Sequence, residues 1–372
     1  MTNSSIFGTE FIKTKSLEEE DYVASLNSTE RKNRNYEWQI VWRNVFAFIY
    51  LHAATLYGIY LMFTGKVKLW TVLFAVSFTL LSAVGITAGA HRLWAHRAYK
   101  AKWPLRLFLA LLQTMAFQNH IYEWVRDHRV HHKFTETDAD PHNAKRGFFF
   151  SHMGWLMVRK HKDVFEKGAA VDMSDLEKDP IVMFQKKTYL FVMPILCFLL
   201  PLYIPVYFWN ENPWSSWYVA SMFRYTISLH FTWLVNSAAH LWGNKPYDQY
   251  IGATDNKTVA ICALGEGWHN YHHVFPWDYK AAELGDYSTN LSTALIDIAA
   301  KYGLAYDLKT VSEKMIRNRI NRTGDGTHPW AKQKAELEED HHHLENPIWG
   351  WGDKDMSDDD KKLAEIVHKK ND

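Results

Sequence analysis

The chain has 372 residues, with 42 Lys or Arg against 41 Asp or Glu, a formal net charge of +1 and only 22% charged residues. Nucleic-acid binding, which needs a basic excess, is excluded, and 18 Gly with 11 Pro are too few for a low-complexity or disordered chain. Aromatics reach 15%, and the mean hydropathy of −0.30 averages long apolar runs with a larger polar remainder.

Residues 1–44 are polar and mixed in charge, without the short apolar stretch and cleavage site of a secretory signal, and read as a cytosolic N-terminal segment. Residues 45–63 form 19 uncharged residues, and after a short polar link residues 69–90 form another 22. Each is long enough for a hydrocarbon core that needs roughly 20, so residues 45–90 are predicted to be transmembrane helices 1 and 2. Residues 91–187 return to a polar cap. Within them the apolar stretch 105–117 is too short to span and is interrupted by Arg106, so it is expected at the membrane surface or against other elements.

Transmembrane helices 3 and 4 are predicted over 188–240. The first covers 188–208 and holds Pro194, Pro201 and Pro205, which membrane helices tolerate better than soluble ones. The second, 217–240, has one formal charge, Arg224. Residues 241–330 complete the cap, and 331–372 reads as a polar, mobile C-terminal tail in which His341, His342 and His343 are solvated. Cys197 and Cys262 sit among apolar neighbours and form no disulfide framework. The fold class is therefore an all-α integral membrane protein, with four transmembrane helices in two hairpins and a helical cap.

Two hairpins put both termini and the cap on one side. That side is expected to be cytosolic. It carries Arg31, Lys32, Arg34, Arg43, Arg92, Arg97, Lys100 and Lys102, whereas the opposite loops offer only Lys66 and Lys68.

The 20 histidines are unevenly spread, and eight fall in three clusters: His91 with His96, His128 with His131 and His132, and His269 with His272 and His273. Spacings of three and four put the second and third sets on one face of a helix. The five-residue spacing of His91 and His96 turns about 140° around an α-helix, so that pair converges only if the helix ends or bends between them. His240 closes the fourth predicted span, with Asn236 one turn earlier. All these residues emerge on the same side. Imidazole suits iron, zinc, copper and nickel, and eight or nine ligands are too many for one ion, so two metals are expected. His52 and His230 are expected to be satisfied within the helical bundle, and His120, His142, His152 and His161 to be structural or on the surface. A metal transporter would place its ligands near the midplane of the spans, not beyond them.

With these clusters in place the sequence resembles the membrane acyl-CoA desaturases of the stearoyl-CoA Δ9 type, which carry three histidine boxes. The likeness extends over Gly85-Ile-Thr-Ala-Gly-Ala-His91, Asp138-Ala-Asp-Pro-His142, Arg146-Gly-Phe-Phe-Phe-Ser-His152, Asn236-Ser-Ala-Ala-His240, Gly265-Glu-Gly-Trp-His269 and Arg322-Thr-Gly-Asp-Gly326. The resemblance implies a non-haem centre of two Fe ions in the cap, held by His91, His96, His128, His131, His132, His240, His269, His272 and His273, with Asn236 acting through water. It also implies a bent acyl tunnel lined by Gln118, Trp124, Thr232 and Trp233, and a CoA-binding surface with Asn119, Arg126, Asp127, Arg159 and Lys160.

The implied reaction takes a fatty acyl-CoA, O2 and two electrons to a cis double bond and water. No flavin or nicotinamide fingerprint and no His-Pro-Gly-Gly haem segment is present, so no bound flavin or haem is expected and the implied donor is cytochrome b5 with its NADH-dependent reductase. Gly252-Ala-Thr-Asp255 resembles the tetrapeptide of an insect Δ9 group with a broad chain-length range. Thr79 stands where some members have a bulky aromatic at the tunnel's end, which predicts chains longer than eighteen carbons alongside palmitoyl and stearoyl. Lys369-Lys370-Asn371-Asp372 resembles a dilysine retrieval signal of multi-pass endoplasmic-reticulum membrane proteins with a cytosolic C-terminus. The alternatives are a different regiochemistry, such as the Δ11 desaturases of pheromone synthesis, or a histidine-box hydroxylase.

Overall fold

Helix α1, Trp42–Phe63, opens a bundle of long apolar helices. The computed structural model describes residues 38–331 and 346–370; Arg31, Lys32, Arg34, the His341–His343 run and Asn371-Asp372 lie outside the described residues. The chain divides into Met1–Val41 and Trp42–Asp372, and all helices and strands named below belong to the second unit.

Helix α2 runs Leu69–Val84 and continues without a break as a π-helix, Gly85–Ala95. Helices α3, Trp103–Ala116, and α4, Ile121–Phe134, follow. Helix α5, Pro180–Trp209, passes through a π-helical turn at Ile195–Leu199 just after Pro194. Helix α6 is assembled from Pro213–Ser216, the π-helical Trp217–Phe223 and Arg224–Asn236. Among the described residues three helices are long and apolar enough to cross a membrane: Trp42–Phe63, Leu69–Ala95 and Pro180–Trp209. Helix α6 is long enough but falls outside that group, because Arg224, Thr226, Ser228 and His230 dilute its apolar content.

Several polar residues inside the bundle satisfy one another, as charge and hydroxyl groups removed from water tend to. The Thr55 hydroxyl donates to Thr226 at 2.6 Å, and His52 meets His230 at 3.2 Å, so both histidines are satisfied within the bundle as expected, by each other. Arg224, fully buried, donates to the carbonyls of Cys197 at 2.5 Å and Met115 at 3.3 Å, groups freed by the π-turn of α5 and the end of α3. Lys68 is also consumed structurally: its ammonium caps the last carbonyls of α5, Trp209 and Asn210, at 2.8 and 2.7 Å. Glu211 returns the arrangement, accepting from the Lys68 amide at 2.9 Å at the start of α2. One of the two cations that weaken the charge bias between loops is thus a helix cap.

Helix α3 buries Leu105, Leu109 and Leu112 and exposes Trp103, Leu107, Phe108 and Leu111, the one-sided shape expected of a helix lying along an apolar surface. It packs on the π-helical stretch through Gly85, where a Cβ would fall 2.2 Å from the Gln113 amide nitrogen. Backbone cannot yield as a flexible side chain can, so Gly85→Ala is expected to destabilise by about 1–3 kcal/mol and to lower the midpoint of thermal unfolding in detergent.

Two expectations are corrected. The chain is not purely helical: β1, Lys100–Ala101, pairs antiparallel with β2, Ala305–Tyr306, and β3, Leu308–Val311, with β4, Ala364–Val367. Nor is the C-terminal region all mobile tail. Residues 346–370 are seated on the cap, with Trp349 and Met356 buried, because this stretch carries apolar side chains that bulk composition hides.

Candidate metal centre

The π-helix settles how the first cluster converges. A π-turn bonds residue i to i+5, so residues five apart lie nearly above one another. The His96 amide donates to the His91 carbonyl at 3.1 Å, and the two imidazole rings are 4.6 Å apart. The helix widens into a π-helix and ends at Ala95, with His96 as its C-cap, so the pair converges at a helix end as expected. Helix α4 brings His128, His131 and His132, the short helix α7, His269–Val274, brings its three histidines, and His240 stands on Ala238–Leu241 just beyond α6.

These nine side chains form two adjoining groups whose ligand atoms lie within 4.8 Å of one another in each: His91, His96, His128, His132 and His272, and His131, His240, His269 and His273. Asn236 ends α6 four residues before His240. Within the first group, Nε2 to Nε2 separations are 3.0 Å for His91–His272, 2.9 Å for His96–His128 and 3.1 Å for His132–His272. In the second they are 3.3 Å for His131–His273, 3.1 Å for His269–His273 and 3.1 Å for His240–His269.

The inward nitrogens of His131 and His96 are bare acceptors, because the other ring nitrogen of each has a hydrogen-bond partner, while the Nδ1 atoms of His91 and His240 have only a carboxylate nearby. His131 Nδ1 donates to Asp140 at 2.9 Å, His96 Nδ1 donates to the Trp349 carbonyl at 2.5 Å, and His91 Nδ1 lies 2.9 Å from Glu266. His240 Nδ1 faces Glu136 at 3.9 Å. Imidazole nitrogens gathered this closely can share protons in N–H···N bonds or share a cation, and they are the donor set imidazole-ligated metals use. Burial pushes the imidazoles of His96, His128, His132, His269, His272 and His273 well below the usual histidine range, and neighbouring imidazoles push them further, so all six are neutral and ready to ligate.

Asp140 and Glu266 stay ionised, whereas burial pushes Asp255 up to about 7. Burial opposes ionisation of Asp140, but His131 and His142 hold it below its ordinary range; Glu266 is likewise held down, against burial, by Arg92 and His91. Asp255, in the Gly-Ala-Thr-Asp tetrapeptide, accepts from the Asn270 and Tyr271 amides at 2.9 and 3.3 Å and so caps the start of α7, which has no side-chain cap of its own. Asn270 makes four bonds, taking the amides of Tyr247 and Asp248 and giving to the carbonyls of Asp248 and Ala253. Sequence reading missed Glu266, Asp140, Glu136, Trp349 and Asp255 as supporting residues. The acidic residues inside Gly265-Glu-Gly-Trp-His269 and Asp138-Ala-Asp-Pro-His142 were the available signal for the first two.

The residues predicted for the acyl tunnel come together in part. Gln118 donates to Thr232 at 2.9 Å, and Trp124 stacks on His128 with ring centres 4.9 Å apart. Trp233 packs on Phe48, His152 and His230, and Thr79 is buried in α2 with its hydroxyl on the Ala75 carbonyl. Of the CoA set, Arg126 and Lys160 both bind Asp127 and both approach Glu123 at 3.6 Å. Arg159 adjoins Lys160 in the chain, while Asn119 sits at φ 67°, its carbonyl taking the Gln113 amide at 2.7 Å. The structural roles expected for the remaining histidines are met by His120 and His161, which accept from the first turns of their helices, and by His152, which meets Ser237 at 2.9 Å. His142 is buried beside His131 and Asp140.

Apolar helices long enough to span a bilayer, ending in a buried nest of nine imidazoles, define a membrane protein built to bind metal. Residues 68–306 match the fatty acid desaturase family model, and the chain belongs to that family. An acyl-CoA Delta-9 desaturase of Acheta domesticus is 61% identical over 94% of this chain and 93% of its own. An acyl-CoA Delta12-desaturase of the same organism is 58% identical over 89% of this chain and 86% of its own, and an acyl-CoA Delta(11) desaturase of Trichoplusia ni 49% identical over 95% of each. The protein is an oxidoreductase of the acyl-CoA desaturase type.

Proposed function

We propose that this enzyme places a cis double bond at carbon 9 of saturated fatty acyl-CoA, accepting palmitoyl, stearoyl and longer chains, with two Fe ions held by the nine histidines and Asn236 through water. The observation that carries the reading is the pair of imidazole lobes in one buried site; the bond position rests on the likeness to the Acheta domesticus Delta-9 enzyme. Bound there, two irons would supply the oxidant, formed from O2 and two electrons, that a pair of unactivated methylenes requires.

The protein's own groups do the rest. Asp140 and the Trp349 carbonyl fix the Nδ1 protons of His131 and His96 so that Nε2 points inward, and the Glu266 carboxylate stands 2.9 Å from His91 Nδ1. Trp124, lying flat on His128, closes one wall, and the Gln118–Thr232 bond ties the loop after α3 to α6, where the acyl chain would bend. Arg126 and Lys160, now paired with Asp127 and Glu123, would exchange those carboxylates for CoA phosphates. The proposal includes four transmembrane helices, with α6 as the fourth, both termini cytosolic, residence in the endoplasmic reticulum and electrons from cytochrome b5 with its NADH-dependent reductase.

Expression in yeast lacking its own Δ9 enzyme, followed by mass spectrometry of double-bond-derivatised lipids, tests this directly. Cis-9 products of sixteen, eighteen and more carbons are expected, and Thr79→Tyr is expected to remove the longest. The Delta12 and Delta(11) relatives favour a second reading with the same centre and another bond position, which products unsaturated elsewhere would establish. An unchanged chain-length profile in Thr79→Tyr would overturn its assignment to the tunnel's end.

A further inference from the structure

The last described residues reach the metal centre. Trp349 offers its carbonyl to His96 Nδ1 at 2.5 Å, and the Trp351 amide donates to the His96 carbonyl at 2.9 Å, so one histidine is held at both its ring and its backbone. Between them Gly350 has φ +150° and lies so close that a Cβ would fall 2.5 Å from the His96 carbonyl oxygen and 2.7 Å from its Cα. No other residue permits that approach without a shift. The Trp349 ring is buried against two guanidinium groups, Arg97 at 4.7 Å and Arg129 at 4.1 Å from its centre.

A second fastening comes from the neighbour of His132. Lys133 donates to the Pro347 carbonyl at 2.8 Å, to Asp353 at 3.1 Å and to Asp355 at 2.5 Å. Asp353 in turn accepts from the Trp349 amide at 2.9 Å. Further on, β4 holds the segment by pairing with β3. These anchors flank His96 and His132, two members of the five-imidazole lobe, while the four-imidazole lobe takes its carboxylate support from Asp140 and Glu136.

We propose that residues 347–355 are a positioning strap for the metal centre, and that the five-imidazole lobe holds its metal only when the Trp349 carbonyl fixes His96. Without the strap the His96 Nδ1 proton loses its acceptor and the ring its orientation, the kind of outer support whose loss costs about 10–100-fold in metal affinity. The inference rests on reading the nine imidazoles as the iron site.

The test compares the full chain with one ending at Glu345, both loaded with iron-57 in detergent. The full chain is expected to hold two irons. The shortened chain is expected to lose the iron of the five-imidazole lobe, keep the Mössbauer signal of the other, and recover both iron and desaturation when a peptide of residues 346–372 is added. Two irons and full activity in the shortened chain would overturn the strap. No iron in the full chain would instead overturn the reading of the site. Where shortening unfolds the protein, Gly350→Ala decides, because its added Cβ would fall 2.5 Å from the His96 carbonyl oxygen and push the strap off that residue: loss of the five-imidazole lobe's iron alone supports the strap, and wild-type iron refutes it.

Discussion

Glu266→Ala is expected to cost about 3–5 kcal/mol of stability, the range for stranding one partner of a buried ion pair, and about 10–100-fold in metal affinity, the range for losing a carboxylate behind a ligating histidine. The two losses share a cause. Arg92 is 1% exposed and donates to Glu266 at 3.0 Å, Thr293 at 2.8 Å, Asn290 at 3.1 Å and the Tyr279 carbonyl at 3.1 Å; of these only Glu266 carries a charge. Removing it leaves a buried cation without an anion and His91 Nδ1 without the group 2.9 Å away. Glu266→Gln keeps an acceptor but not the charge, so it is expected to fall between. A control is at hand in the exposed Glu313–Arg317 pair, 2.6 Å apart on one helix face; Glu313→Ala is expected to change stability by less than about 1 kcal/mol. Thermal unfolding and competition with an iron chelator measure the two effects separately. Equal effects for Glu266→Ala and Glu313→Ala would remove Glu266 from the centre.

What the sequence made legible was local. His128, His131 and His132 lie on one helix face because spacings of three and four match an α-helix, and His269, His272 and His273 do the same in α7. The pair His91 and His96 showed that an ordinary helix fails there, yet a π-helix leaves no composition mark, and only the i to i+5 bond reveals it. The supporting shell was illegible for a different reason: Glu266 stands 174 residues from Arg92 and Trp349 stands 253 from His96, so those contacts exist only once the cap has closed. Charge averages misled at the C-terminus, where Trp349, Gly350 and Trp351 carry the contacts to His96 and the surrounding Asp and Lys set the composition. Lys68 misled in the opposite sense, since a charge counted toward topology is spent on two carbonyls.

Acidification is expected to empty the centre abruptly, well before the carboxylates behind it protonate. Six imidazoles, His96, His128, His132, His269, His272 and His273, are held well below their ordinary value of 6.5 by burial first and by one another second. A histidine whose pKa is lower in the folded protein than in the unfolded chain contributes its stability fully above 6.5. As pH falls below that value the unfolded chain takes up protons that the folded site refuses, so stability is lost progressively. Each such group costs about 1.4 kcal/mol per pH unit across its window, and several act together. His142, pushed down to about 3 by burial and by His131, adds to the same slope. Asp140 and Glu266 do not, because both lie below their ordinary values of 3.8 and 4.5 and keep their charge through this range. Protons take the imidazole Nε2 lone pairs as the chain opens, so acid unfolding and iron release are coupled. Iron release to a chelator, followed from pH 7 to 5, is therefore expected to steepen below about 6.5 with more than one proton taken up per iron released. A release curve that stayed flat until the carboxylates titrate would show that the carboxylates, not the imidazoles, set the acid stability of the centre.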